Sequence, residues 1–126
     1  MFGEEFAAMG AASRAKSAFL AKNGIGYFLA SMLAGGYVGF GILLIFTAGA
    51  SLAAAPWVKI VMGGSFGIAL GLVVMAGAEL FTGNNLVMTA GLARKTVTLG
   101  ETLRLWLVCF VGNWLGSALL ALIFWG

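Results

Sequence analysis

Apolar positions in this chain fall into long unbroken runs separated by short charged clusters, and the run lengths predict the elements. From about Ile25 to Phe46 there is no charged residue, and a helix of that length covers the roughly 30 Å of a bilayer's hydrocarbon core. Thr47 to Pro56 is small, polar or turn-forming, and Trp57 and Lys59 then read as an interfacial anchor that opens a second segment. A third run extends from about Leu105 to Trp125, with Trp125 again suited to an interface. Ahead of these, residues 1–22 place Phe2, Phe6, Met9, Ser13 and Leu20 at helical spacing on one face, with Glu4 and Arg14 on the other. That pattern predicts an amphipathic helix, either lying in the membrane plane or packed as an arm on the protein. Its acids come first and Arg14 and Lys16 later, which suits both the helix dipole and an anionic inner leaflet.

The second segment is too long to be one straight span. Trp57 to Ala93 as a continuous helix would measure about 55 Å, nearly twice the hydrocarbon thickness. A carboxylate, a glycine and two turn-prone asparagines interrupt it at Glu79-Leu80-Phe81-Thr82-Gly83-Asn84-Asn85. The expectation is therefore a broken helix over 57–93, interrupted near 79–85, with non-helical backbone around Phe81 to Asn85. Discontinuous membrane helices line cavities or pathways, because freed backbone groups cannot face lipid.

Composition narrows the class. With 62% hydrophobic and only 9% charged residues, the chain cannot clothe a water-facing surface, so the bilayer is its solvent. Twenty glycines against a single proline, Pro56, point to closely packed membrane helices. The three at Gly63, Gly67 and Gly71 share one helix face, where a neighbouring helix is expected to pack closely. One cysteine, Cys109, excludes a disulfide within the chain, and the lack of histidine removes a Cys/His metal site. No nucleophile–base pair, metal cluster or cofactor motif appears, so no enzyme activity, cofactor, metal or nucleic acid is expected. Glu4 and Glu5 precede the positive charges, unlike a secretory signal, and the first span is expected to direct its own insertion. Arg14, Lys16 and Lys22 precede that span, and Arg94, Lys95 and Arg104 lie between the second and third, with Lys59 alone opposite. This bias predicts a multi-pass protein of the cell's inner or plasma membrane with a cytoplasmic N-terminus.

The run Val74-Met75-Ala76-Gly77-Ala78-Glu79-Leu80-Phe81-Thr82-Gly83 resembles the signature of the formate/nitrite transporter family. Tyr37-Val38-Gly39-Phe40-Gly41, Gly63 to Leu70 and Gly112-Asn113-Trp114-Leu115-Gly116 extend the resemblance over nearly the whole chain. The resemblance implies an all-α membrane protein, half of an aquaporin-like fold in which two inverted three-span repeats make a six-span protomer and protomers form homopentamers. Only the first repeat is matched. The second, with its central histidine, would be a required partner, so these 126 residues are expected not to form a working pore by themselves.

The resemblance also assigns roles. Leu70, Leu80 and Phe81 would be constriction residues, with ordinary helix packing as the alternative. Thr82 would be the polar centre, unless its hydroxyl merely satisfies a nearby backbone carbonyl. For Glu79 the structural role is preferred, since a bare carboxylate repels anions. Bonded to amides at the start of a half-helix near Leu86, it would staple the break. Gly83, Asn84 and Asn85 belong to the same break, and Asn113 would bridge helices where Gly112 and Gly116 allow close approach. Lys59 would be an interfacial anchor or an attractor of anions at the outer mouth. The function expected is passage of small monovalent anions, formate or nitrite first. A facilitator of neutral solutes and a non-transporting membrane assembly subunit are the alternatives.

Overall fold

The computed structural model describes residues 2–125, which form five helices. They are α1 (Phe2–Lys22), α2 (Gly24–Ser51), α3 (Val58–Met75), α4 (Phe81–Ala93) and α5 (Leu99–Trp125). Three of them, α2, α3 and α5, are long and apolar enough to cross a membrane. At 28 residues α2 is about 42 Å long. It runs past the expected end at Phe46 because the following residues are small and Thr47 bonds back to the Leu43 carbonyl at 2.8 Å. Asn23 starts it sharply, its side-chain oxygen accepting from the Gly26 amide at 2.8 Å.

α5 begins at Leu99, ahead of the expected Leu105. The cause is a capping box. The Thr98 amide donates to Glu101 Oε2 at 2.7 Å, while the Glu101 amide donates to Thr98 Oγ1 at 3.2 Å. Thr-x-x-Glu was legible at 98–101 and predicts this start.

Packing follows membrane logic, in which small residues let backbones touch and large apolar ones face outward. α2 lies against both α3 and α5, and α1 lies along α4. On the α2–α5 seam a Cβ added at Gly112 would sit 2.5 Å from Ser31 Cβ, and one at Gly116 would strike the Met32 carbonyl. Gly41 of α2 receives Ala69 of α3 in the same way. At the stripe Gly63, Gly67 and Gly71, which allows a close neighbour, nothing among the described residues lies within 4 Å of a Cβ at any of the three. The α2–α3 contact uses another face, leaving this one bare.

α1 is a packed arm, since Gly10, Ser13 and Leu20 are buried while Phe2 and Phe6 of the expected apolar face are exposed. Ser13 is the pivot. Its hydroxyl is 2.9 Å from Thr96 Oγ1, and it fills the space beside Gly91 of α4. Buried Leu20, Tyr27, Met88, Val97, Leu105 and Cys109 form a core at the junction of the helices. Large side chains elsewhere are exposed, Ile60 and Leu107 among them. The chain is inside-out relative to a water-soluble domain: polar groups gather within and apolar ones cover the outside.

Candidate functional site

The break in the second segment is built by ordinary helix-ending chemistry. α3 stops at Met75, and Gly77 takes φ +61°. The Gly77 amide donates to the Val74 carbonyl at 3.2 Å and the Ala78 amide to the Val73 carbonyl at 3.0 Å, the paired bonds of a Schellman ending. Only glycine adopts that backbone without strain. The chain then runs extended through Leu80 (φ −94°, ψ 129°), and α4 starts at Phe81. The interruption is thus Ala76–Leu80, ahead of the expected 81–85. Phe81, Thr82, Gly83, Asn84 and Asn85 are helical and make the first turns of α4. The asparagines and Gly83 were read as turn formers, but all three are helical, and tertiary partners hold Asn84 there.

Those partners come from α1, α2 and α5. The Glu79 amide donates to the Ala30 carbonyl of α2 at 3.1 Å. Asn113 of α5 closes the rest of the accounting. Its Nδ2 donates to the Glu79 carbonyl at 2.9 Å and to the Ser31 carbonyl at 2.8 Å, and its Oδ1 accepts from the Phe81 amide at 2.9 Å. Cys109 Sγ adds a donor to the Glu79 carbonyl at 3.2 Å. One amide side chain therefore satisfies a carbonyl inside the break and the first amide of α4 after it, as a non-aqueous setting requires.

The Glu79 carboxylate is held differently from expectation. No backbone amide at the start of α4 reaches it. Its Oε2 accepts from Lys16 Nζ at 2.6 Å, Asn84 Nδ2 at 2.9 Å and Tyr27 Oη at 3.3 Å. Asn84 Nδ2 also donates to Tyr27 Oη at 2.8 Å. Lys16 comes from α1, so the arm supplies the countercharge that a buried carboxylate needs. Sequence reasoning missed Lys16, Tyr27 and Ser31. The available signal was physical: a carboxylate at membrane depth requires a cation, and few are present.

The remaining candidates line two clefts. Leu70, Glu79, Gly83 and Lys16 border the first, and Phe81, Thr82, Phe110 and Asn113 the second; Leu80 lines both. Leu80 therefore stands between them. Phe81 is steadied by Phe110, edge to face at 5.4 Å. Thr82 is exposed, and its hydroxyl has no hydrogen-bond partner among the described residues. Asn85 lines neither cleft, and its buried Oδ1 has no partner among the described residues.

Spanning helices of this length, one of them broken and held open by a buried polar cluster, define a polytopic membrane protein of the transporter or channel class. Residues 4–126 match the model of the formate/nitrite transporter family. The nitrite transporter NirC of Salmonella typhimurium is 44% identical over 119 residues, which cover 92% of this chain and 44% of that protein. The formate channel FocA of Haemophilus influenzae is 30% identical over 100 residues, covering 78% of this chain and 35% of its own. A solved FNT family ion channel superposes with a TM-score of 0.91 at 37% identity, over 97% of this chain and 49% of that one. The chain belongs to the formate/nitrite transporter family, whose members are transporters and channels, and it spans less than half the length of each of these relatives.

Proposed function

We propose that these residues form one wall of a passage for small monovalent anions, with formate or nitrite the first candidates. The observation that carries this reading is Leu80, placed between two clefts, with the uncommitted Thr82 hydroxyl beside it at the N-terminal turn of α4. Leu70, Leu80 and Phe81 form the apolar constriction. Thr82 and the positive end of the α4 dipole offer an anion a polar centre. Glu79, Gly83, Asn84, Asn85 and Asn113 hold the break in shape.

The charge arrangement favours this reading. An unpaired carboxylate beside the clefts would repel anions, and Lys16 neutralises Glu79 at 2.6 Å. The relatives NirC, a nitrite transporter, and FocA, a formate channel, support the choice of substrates. A facing three-span repeat completes the passage, within a protomer of a homopentamer in the cell's inner or plasma membrane. The basic residues around α1 and between α4 and α5 support a cytoplasmic N-terminus.

The test is Thr82→Val in a six-span transporter carrying these residues, reconstituted in proteoliposomes. Losing one hydroxyl-to-anion hydrogen bond of about 1.5 kcal/mol at the barrier lowers formate or nitrite uptake about tenfold, with assembly unchanged. Unchanged uptake assigns Thr82 to structure alone. Solute-driven swelling without anion flux selects the neutral-solute alternative.

A further inference from the structure

Away from the Glu79 cluster, α1 forms a shallow groove with the link between α4 and α5. Its α1 wall is nearly all small, with Ala7, Gly10 and Ala11 among its residues, and two arginines, Arg14 and Arg94, line it. Arg94 is laid across the floor by packing. A Cβ at Gly10 would sit 3.0 Å from its Cδ and 3.1 Å from its Nε, and its guanidinium carbon lies 5.4 Å from the centroid of the Phe6 ring.

Neither arginine has a carboxylate partner, because the ion pair among the described residues is Lys16–Glu79. The nearby acids are otherwise placed. Glu4 and Glu5 lie in the exposed first turn of α1, and Glu101 is committed to Thr98 and Ser17. Two like charges on one groove repel unless an outside anion is shared between them, and phosphate oxygens match the guanidinium fork. Continuing along α1, Phe2, Phe6 and Met9 form a largely apolar surface that also carries the exposed Glu5, with Phe2 80% exposed. A free phosphate has no use for that surface; an acyl chain does.

We propose that the Arg14–Arg94 groove binds the phosphate of an anionic phospholipid, with Phe2 and Phe6 against its acyl chains, so that α1 is pinned to the membrane surface. The groove lies apart from the clefts, and the proposal stands whether or not anions pass there.

Native mass spectrometry of the full 126-residue chain, titrated with phosphatidylglycerol, phosphatidylcholine or inorganic phosphate, tests it. The expected result is preferential retention of phosphatidylglycerol, weakened about fivefold by Arg14→Gln or by Arg94→Gln and abolished by both. Lys59→Gln leaves the preference intact, and millimolar inorganic phosphate does not displace the lipid. Equal retention of the two lipids, or a preference that survives both substitutions, overturns the proposal. Displacement by inorganic phosphate also overturns it, assigning the groove to the free ion. Should Arg94→Gln fail to fold, Arg14→Gln decides alone, because Arg14 is exposed and makes no hydrogen bond or ion pair among the described residues.

Discussion

Two glycine stripes in this chain carry the same spacing and meet opposite fates. On α5, Gly112 and Gly116 lie against α2 so closely that a methyl group at either would collide with Ser31 or with the Met32 carbonyl. On α3, Gly63, Gly67 and Gly71 face open space. Small residues four apart say where a helix can be approached; they do not say whether the approaching helix belongs to the same stretch of chain. The α5 stripe also has a neighbour with a task. Asn113 sits between its two glycines, and the close seam is what lets that side chain reach the Ser31 carbonyl, the Glu79 carbonyl and the Phe81 amide together.

The sharpest way to break this comparison is to add a methyl group at each stripe. Gly116→Ala pushes against a backbone carbonyl that cannot swing aside, and is expected to cost about 3 kcal/mol in reversible unfolding from mixed micelles followed by circular dichroism. A cost indistinguishable from zero would mean that the seam is looser than described. Next in size is Asn113→Ala, which strands the Phe81 amide, leaves the Glu79 carbonyl only the weak Cys109 thiol donor and is expected to destabilise the fold by about 2 kcal/mol in the same titration. A smaller loss would show that water or another donor reaches the break. The smallest effect belongs to the open stripe. Gly67→Ala has room and improves helix propensity, so a gain of about 0.5–1 kcal/mol is expected for this chain. The same substitution in a six-span transporter tests whether a facing surface covers the stripe, in which case the gain turns into a loss.

Much of the fold was readable because membrane thickness turns run length into topology. The charge-free stretch from Ile25 and the excess length of Trp57 to Ala93 required a crossing helix and then a broken one. The position of the break was not readable from turn propensity. Asn84 and Asn85 look like breakers, yet Asn84 is held in helix by nearby Glu79 and by Tyr27, 57 positions away. The true signal was Gly77, whose left-handed backbone ends α3. The Lys16–Glu79 pair joins residues 63 positions apart, and no local pattern links them. Leu70, Leu80, Phe81 and Thr82 were named through resemblance to a signature; the structure adds that Leu80 borders both clefts.

The central claim is that an anion comes to rest beside Thr82. Thr82→Cys in a reconstituted six-span transporter carrying these residues, with any cysteine of the other repeat replaced by serine, tests it directly, since Cys109 is buried. The rate of its modification by a small methanethiosulfonate reagent is measured with and without formate or nitrite. The account predicts that either anion slows modification in a saturable way, while sulfate, too large and doubly charged for the constriction, does not. A modification rate unaffected by formate and nitrite at concentrations that saturate transport would contradict it.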